Sequence, residues 1–348
     1  MRVRRLAGAA LAGLLGLGAA APTVAVAPGQ DRLDRPAQVL PLAARSLLLD
    51  VARAGGRVVA VGERGHVLLS DDDGVSWRQA RDVPTRTMLT AVWFADAKHG
   101  WAVGHDELIL GSADGGETWK TLHHAPESQQ PLLDVWFADA NTGIALGAYG
   151  SYFSTADGGR NWIARKFEAA PVPVIRPKGS PAPVVEDDEF APDYHLNRIA
   201  AAGTRLYIAA EAGQLYRSDD GGSSWVTLPS PYAGSFFGLL PLDGDALLAF
   251  GLRGNLFRSD DAGQSWRALA SGATAMLTDA VRVGTSQLAL VGLSGSVLIS
   301  GDGGASWTLQ QQADRKGLSA VIAGSDGVLL AVGEGGARRI TVDGSVTP

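Results

Sequence analysis

The chain has no cysteine among its 348 residues. Disulfides, thiolate metal sites, a cysteine nucleophile and a lipidated N-terminal cysteine are therefore excluded. It also lacks a basic balance. Thirty Lys and Arg stand against 36 Asp and Glu, a formal net charge of −6, the wrong sign for a general nucleic-acid binder. Beyond residue 27 no apolar run approaches the roughly 20 residues that a membrane-spanning helix needs. What is present is a 46 % hydrophobic chain with ample material for a core. Its length suits two average domains or one large repeat domain.

Repeats decide between these. Ser112-Ala113-Asp114-Gly115-Gly116-Glu117-Thr118-Trp119 fits the pattern Ser/Thr-x-Asp-x-Gly-x-Ser/Thr/Asn-Trp, and five more copies follow it, at Ser70–Trp77, Thr155–Trp162, Ser218–Trp225, Ser259–Trp266 and Ser300–Trp307. The central carboxylates are Asp72, Asp114, Asp157, Asp220, Asp261 and Asp302; the tryptophans are Trp77, Trp119, Trp162, Trp225, Trp266 and Trp307. An Asp at this place bonds backbone N–H groups two residues on, Gly supplies positive φ, hydroxyls tie the ends and Trp buries a large ring. Each box is expected to be a structural hairpin turn with an aromatic anchor. The twelve-position ligand spacing of a calcium loop is missing, and no metal or cofactor is expected.

The box tryptophans are spaced 42, 43, 63, 41 and 41 residues apart. In the second unit Leu89–Phe94, Gly100–Gly104, Leu108–Gly111 and Thr118–Leu122 read as four short strands, which is one propeller blade. Blades are expected at about 47–80, 88–122, 132–166, 195–229, 235–269, 276–310 and 317–343. The last has no box and no Trp strand. Residues 28–46, through Ala37-Gln38-Val39-Leu40-Pro41-Leu42, are expected to supply its outer strand and close the ring. The expected fold is an all-β, seven-bladed propeller of four-stranded antiparallel blades spanning 47–343. The long gap holds a Pro-rich acidic insert at 167–194.

Residues 1–27 read as a secretory signal: basic Arg2, Arg4 and Arg5, an uncharged run from Leu6 to Ala21, then small residues. Pro28 favours cleavage after Ala25 over Ala27. The mature protein is expected to be exported to the periplasm, to cross no membrane and to be a monomer.

Strand order places the boxes on one rim, and the turns between second and third strands on the other with the inter-blade loops. Loop-borne function is expected on the box-free rim, where Arg64, Arg86, His105, Asp106, Tyr149 and Arg253 form a candidate binding surface around the channel mouth. His123 and His124, adjacent in sequence, do not point together without a third metal ligand.

Val58-Val59-Ala60-Val61-Gly62-Glu63-Arg64-Gly65-His66-Val67-Leu68-Leu69-Ser70, and Leu89–Phe94 with Gly100–His105, resemble the photosystem II stability/assembly factor family. The resemblance covers about residues 38–343. It implies a seven-bladed propeller that is not an enzyme. In oxygenic phototrophs the family's members are lumenal and bind an early photosystem II reaction-centre intermediate around the D1 subunit; similar proteins in other bacteria are exported. The implied partner is a membrane or envelope protein, a photosystem II reaction-centre subunit in a phototrophic host with its thylakoid lumen. The competing reading is a sialidase-like glycoside hydrolase, since sialidases share the box. It would draw on Tyr149, Glu211, Arg64 and Arg253, but the Phe/Tyr-Arg-Ile-Pro motif is present only scrambled, as Val174-Ile175-Arg176-Pro177.

Overall fold

A computed structural model describes residues 35–172 and 193–342. The signal reading and the centre of the 167–194 insert, with Val174–Pro177, lie outside the described residues. The described chain forms six four-stranded antiparallel sheets and a seventh of three strands. The inner strands, Leu48–Ala54, Leu89–Phe94, Leu132–Phe137, Leu196–Ala202, Phe236–Pro241, Leu277–Val283 and Leu318–Ala323, neighbour one another in sequence order. The first also meets the last, so the blades form a closed ring of seven. No helix among the described residues is long and apolar enough to cross a membrane.

The second strand of each blade is buried throughout or nearly so, as in Arg57–Gly62 and Gly100–Gly104, because both of its faces pack on neighbouring blades. Continuous apolar runs are what such strands require. Between blades the core divides into clusters such as Val59, Val61, Leu69, Phe94, Leu110 and Trp119 at the first joint.

Each inner strand carries one irregularity near its start. Pairing skips one residue in every blade, between Leu48 and Asp50, Leu89 and Ala91, Leu132 and Asp134, Leu196 and Arg198, Phe236 and Gly238, Leu277 and Asp279, and Leu318 and Ala320. A bulge of this kind leaves the extra residue out of the ladder and re-aims it. Here the extra residues, among them Leu49, Asn197, Phe237, Thr278 and Ser319, line the mouth of the channel on the box-free rim.

The outer strand expected on the seventh blade is not formed by residues 37–42. They carry no strand, and among the described residues the last sheet ends at Gly336–Thr341. The segment lies instead along the first blade: Ala37 N–H donates to Val83 O at 2.9 Å, Gln79 Nε2 to Gln38 O at 2.9 Å, and Arg86 Nε to Pro36 O at 3.0 Å. Pro36 and Pro41 have no N–H to give a ladder, which suits them to a strap rather than a strand. The following turn, Ala43–Arg45, sits against the last strand.

Candidate functional site

The Asp boxes are turns, and their chemistry is satisfied within them. In the second, Asp114 Oδ1 accepts Thr118 N–H at 3.0 Å and Asp114 Oδ2 accepts the Thr118 hydroxyl at 2.6 Å, while Ser112 Oγ accepts Gly116 N–H at 2.9 Å. The other five repeat these contacts. Such hydrogen bonds hold Asp72, Asp157 and Asp220 down at about 2, led in each by the side chain just before the Trp, Ser76, Asn161 and Ser224. Three of the roughly four acceptor sites of each carboxylate are thus taken up within its own turn.

The opposite rim differs. Between second and third strands the chain turns through Glu63-Arg64-Gly65, Ala148-Tyr149-Gly150, Glu211-Ala212-Gly213, Leu252-Arg253-Gly254 and Leu293-Ser294-Gly295. The middle residue has φ between 52° and 58° in each, and the following Gly is also positive. These are the dihedrals of a type I′ turn, which favours Asn, Asp or Gly at both places. Gly65 is required for a second reason, since a Cβ there would stand 2.1 Å from Thr85 O of the inter-blade loop. In the second blade Asp106 and Glu107 take φ of 61° and 50°. Arg64, Tyr149 and Arg253 thus hold a left-handed conformation that costs bulky side chains of order 1 kcal/mol or more, and they are exposed, Tyr149 by 60 %. Among the described residues neither guanidinium makes an ion pair.

Below these tips the channel mouth is a cavity of about 360 Å³ lined by Leu49, Phe237, Met276, Leu293 and Asn197, with Arg198 at its floor. Arg198 is also the waist. Its guanidinium stands 3.4 Å from Asp50, 3.7 Å from Asp134 and 3.7 Å from Asp279, and beyond it a second chamber of about 460 Å³ opens toward the box rim. Each carboxylate also accepts a backbone N–H from the next blade: Val92 to Asp50 at 2.9 Å, Ile199 to Asp134 at 2.8 Å and Val321 to Asp279 at 2.8 Å. Burial, reinforced by the charge of Asp50 and opposed by Arg198, pushes Asp134 and Asp279 up to about 6. This cluster escaped the sequence reading. Its signal was an Asp two residues after the first Leu of an inner strand, visible in Leu48-Leu49-Asp50, Leu132-Leu133-Asp134 and Leu277-Thr278-Asp279.

Of the expected rim residues, Arg64, His105, Tyr149 and Arg253 are exposed and Asp106 is half-buried. Arg86 is half-buried and tied to the N-terminal strap. Tyr149 meets His195 of the next blade edge to face, ring centroids 4.7 Å apart, and His195 Nδ1 lies 3.7 Å from Glu211. Glu211 accepts the His195 N–H at 3.3 Å, just as Glu63 accepts Leu47 N–H and Glu334 accepts Gly317 N–H. It is therefore a repeated structural tie. Arg64 and Arg253 stand on the first and fifth blades and do not converge on Tyr149 of the third, so the constellation a sialidase needs is not assembled from them. His123 Nε2 lies 3.6 Å from Glu107, and no group of three or more His, Asp or Glu among the described residues is placed to hold a metal.

The family model described as photosynthesis system II assembly factor YCF48 matches residues 76–131 and 125–336. The chain is 36 % identical over 81 residues to the photosystem II stability/assembly factor HCF136, chloroplastic, of Cyanidioschyzon merolae; the match covers 23 % of this chain and only 17 % of that relative's length. Similar solved structures include YCF48 bound to D1 peptide, with TM-score 0.65 and 18 % identity over 89 % of this chain and 97 % of that one. YCF48 from Cyanidioschyzon merolae aligns with TM-score 0.63 and 15 % identity over 86 % and 97 %. The WD40 propeller of Doa1 aligns with TM-score 0.63 and 13 % identity over 88 % and 95 %. At these identities the structural likenesses show the fold alone.

Proposed function

The chain belongs to the photosynthesis system II assembly factor YCF48 family, whose model matches most of its length, and from that premise we propose that it is an exported, non-enzymatic propeller that binds a protein partner at its box-free rim. One observation carries the reading: Arg64, Tyr149 and Arg253 project from equivalent hairpin tips in a strained conformation, exposed and without ion-pair partners among the described residues. Backbone strain persists where a function selects for it. The apolar mouth below them suits side chains of an extended segment laid across the rim, while the tips supply charge and an aromatic anchor, the residue types that dominate binding energy at interfaces.

A relative of this fold is known bound to a D1 peptide. By extension the partner is a segment of a membrane or envelope protein, and of a photosystem II reaction-centre subunit in a phototrophic host. Export rests on the basic and apolar N-terminal run.

The test is binding of the mature protein to a D1-type peptide and to cross-linked partners from its native envelope. Arg64→Glu with Arg253→Glu is expected to weaken capture at least tenfold, and Tyr149→Ala to add to the loss, with the melting temperature unchanged. Undiminished capture by the triple variant would remove the box-free rim from the reading. Turnover of a fluorogenic sialoside by the wild type would replace the reading with a hydrolase.

A further inference from the structure

His66 is fully buried at the end of the first blade's hairpin, and its Nε2 has no hydrogen-bond partner. Its Nδ1 lies 3.2 Å from Gln79 Nε2. Gln79 is also the residue that holds the N-terminal strap. Its Oε1 accepts Leu40 N–H and its Nε2 donates to Gln38 O at 2.9 Å. Since Leu40 N–H can only donate, the amide orientation of Gln79 is set, and its two N–H groups go to Gln38 O and to His66 Nδ1. His66 Nδ1 must therefore be the acceptor, and the imidazole is neutral with its proton on the buried Nε2.

Protonation breaks this arrangement. A proton on Nδ1 would set donor against donor at Gln79. The amide then either moves away or turns over to offer Oε1 to His66. Turning over presents Nε2 to Leu40 N–H and Oε1 no longer to it, so the bonds to Leu40 and Gln38 are lost together. We propose that His66 and Gln79 form a proton-operated latch, which holds the strap of residues 36–42 on the first blade when His66 is neutral and releases it when His66 is charged.

The surroundings fix the direction. Burial lowers the His66 pKa below its ordinary value; Glu63 opposes and Arg64 reinforces the lowering. Those are the charged groups facing the ring from its own turn, and the strap and the outer strand contribute the uncharged Gln38 and Gln79. Opening the strap removes the donor-against-donor contact at Gln79, so the imidazole is easier to protonate with the strap open, and a charged His66 favours the open strap by linkage. Release therefore falls below the ordinary histidine range of about 6.5. The strap's remaining hydrogen bonds to the first blade, Ala37 N–H to Val83 O and Arg86 to Pro36 O, are at its far end, and only the half-buried packing of Leu40 against the cluster of Leu48 and Val58 holds the near end. Opening then begins at Leu40, beside the exposed Val39 and Leu42.

The absence of cysteine makes a direct test available. A nitroxide placed on Val39→Cys in the mature full-length protein reads strap mobility, while near-ultraviolet circular dichroism follows the propeller. Lowering pH from 7.5 to 4.5 is expected to convert a restricted spectrum to a mobile one reversibly, with the dichroism unchanged. In His66→Asn the step should vanish, because an amide cannot charge. Gln79→Ala should leave the label mobile at every pH. The His66 imidazole nitrogens of the wild type, followed by NMR, should titrate at the midpoint of the spin-label step. A label that stays restricted throughout, a step that survives in His66→Asn, or an imidazole midpoint displaced from the step by more than a pH unit would each overturn the latch. The NMR comparison decides the matter if His66→Asn does not fold.

Discussion

At the scale of single residues, the same side-chain types do opposite work on the two sides of the molecule, and burial decides which. Ser112 is 8 % exposed and its hydroxyl takes the Gly116 N–H inside the box. Ser112→Ala removes that acceptor and leaves a buried donor unpaired, which costs about 1–3 kcal/mol; the shift in urea midpoint of the variant measures it. The carboxylates act with opposite signs. The box carboxylates Asp72, Asp157 and Asp220 sit at about 2, below the ordinary Asp value, so their contribution is whole above about pH 4 and lost as pH falls toward 2. Asp134 and Asp279 at the channel waist are raised to about 6. The stability they confer is whole below about pH 4 and lost as pH rises through 6. His66, lowered by burial, opposes them over part of that window. Asp134 and Asp279 act together, so the melting temperature should rise from pH 7.5 to about pH 5, less steeply than in His66→Asn, and fall again below about pH 3.5. Asp279→Asn keeps an acceptor for Val321 N–H and removes one buried charge. It should raise the melting temperature at pH 7.5 and flatten the curve between pH 4 and 7.

At the scale of the element, a box is a clasp as well as a turn. The backbone carbonyl at or just after the middle of each box is gripped by a side chain of the preceding blade: Arg339 to Asp73 O, Arg57 to Gly115 O, Trp101 to Gly158 O, Tyr152 to Gly222 O, Arg217 to Ala262 O and Arg258 to Gly303 O. The donors differ in type, and no single sequence pattern joins them, which is why the spacing of the boxes disclosed the blades but not their joints. The strands of the six boxed blades, the box turns and the rim assignment were legible because each rests on residues close in sequence. The channel waist and the clasps rest on residues about 40 apart or more, where only the ring brings them together. The rim was legible in part: Arg64, Tyr149 and Arg253 were found as turn residues, but their shared left-handed conformation is a property of the hairpin register. The strap was misread as a strand because Ala37 to Leu42 alternates acceptably, while its two prolines weigh against a ladder. Tyr152 tests the clasp. Its hydroxyl donates to Gly222 O at 3.1 Å and accepts Trp225 Nε1 at 3.3 Å. Tyr152→Phe keeps the ring and should cost about 1–3 kcal/mol, because a buried indole N–H loses its acceptor. Hydrogen exchange should quicken first at the joint of the third and fourth blades, and uniform quickening across the ring would show that the clasp is not local.

At the scale of the whole molecule, six of the seven joints are crossed by a connecting loop, and the joint between last and first blades is where the propeller's two chain ends meet. Side chains make up the difference there. Asp73 accepts Arg53 Nη2 at 2.6 Å, Ser325 N–H at 2.7 Å and the Ser325 hydroxyl at 2.8 Å, and Arg53 also donates to Ala323 O at 2.8 Å. The hydrogen bonds from Arg53 and Ser325 outweigh burial and hold Asp73 down at about 2. The fifth blade supplies the control for testing this seam. Ala262 occupies the same box position with the same φ of 58° as Asp73, so Asp73→Ala asks nothing new of the backbone and removes only the side chain. It should cost about 2–3 kcal/mol, as charge-assisted hydrogen bonds are lost, and the loss should be seen as faster exchange in Leu318–Ala323 and Leu48–Ala54 before the rest of the ring. Arg53 and Asp73 keep 35 % and 21 % of their side chains exposed, so part of the effect is screened, and the difference from wild type should shrink in about 1 M salt. A variant that melts as a unit at the wild-type temperature would place the closure of the ring in the apolar contacts of Leu48, Val51, Ala320 and Leu330 and in the Arg339 clasp on Asp73 O, which the variant keeps.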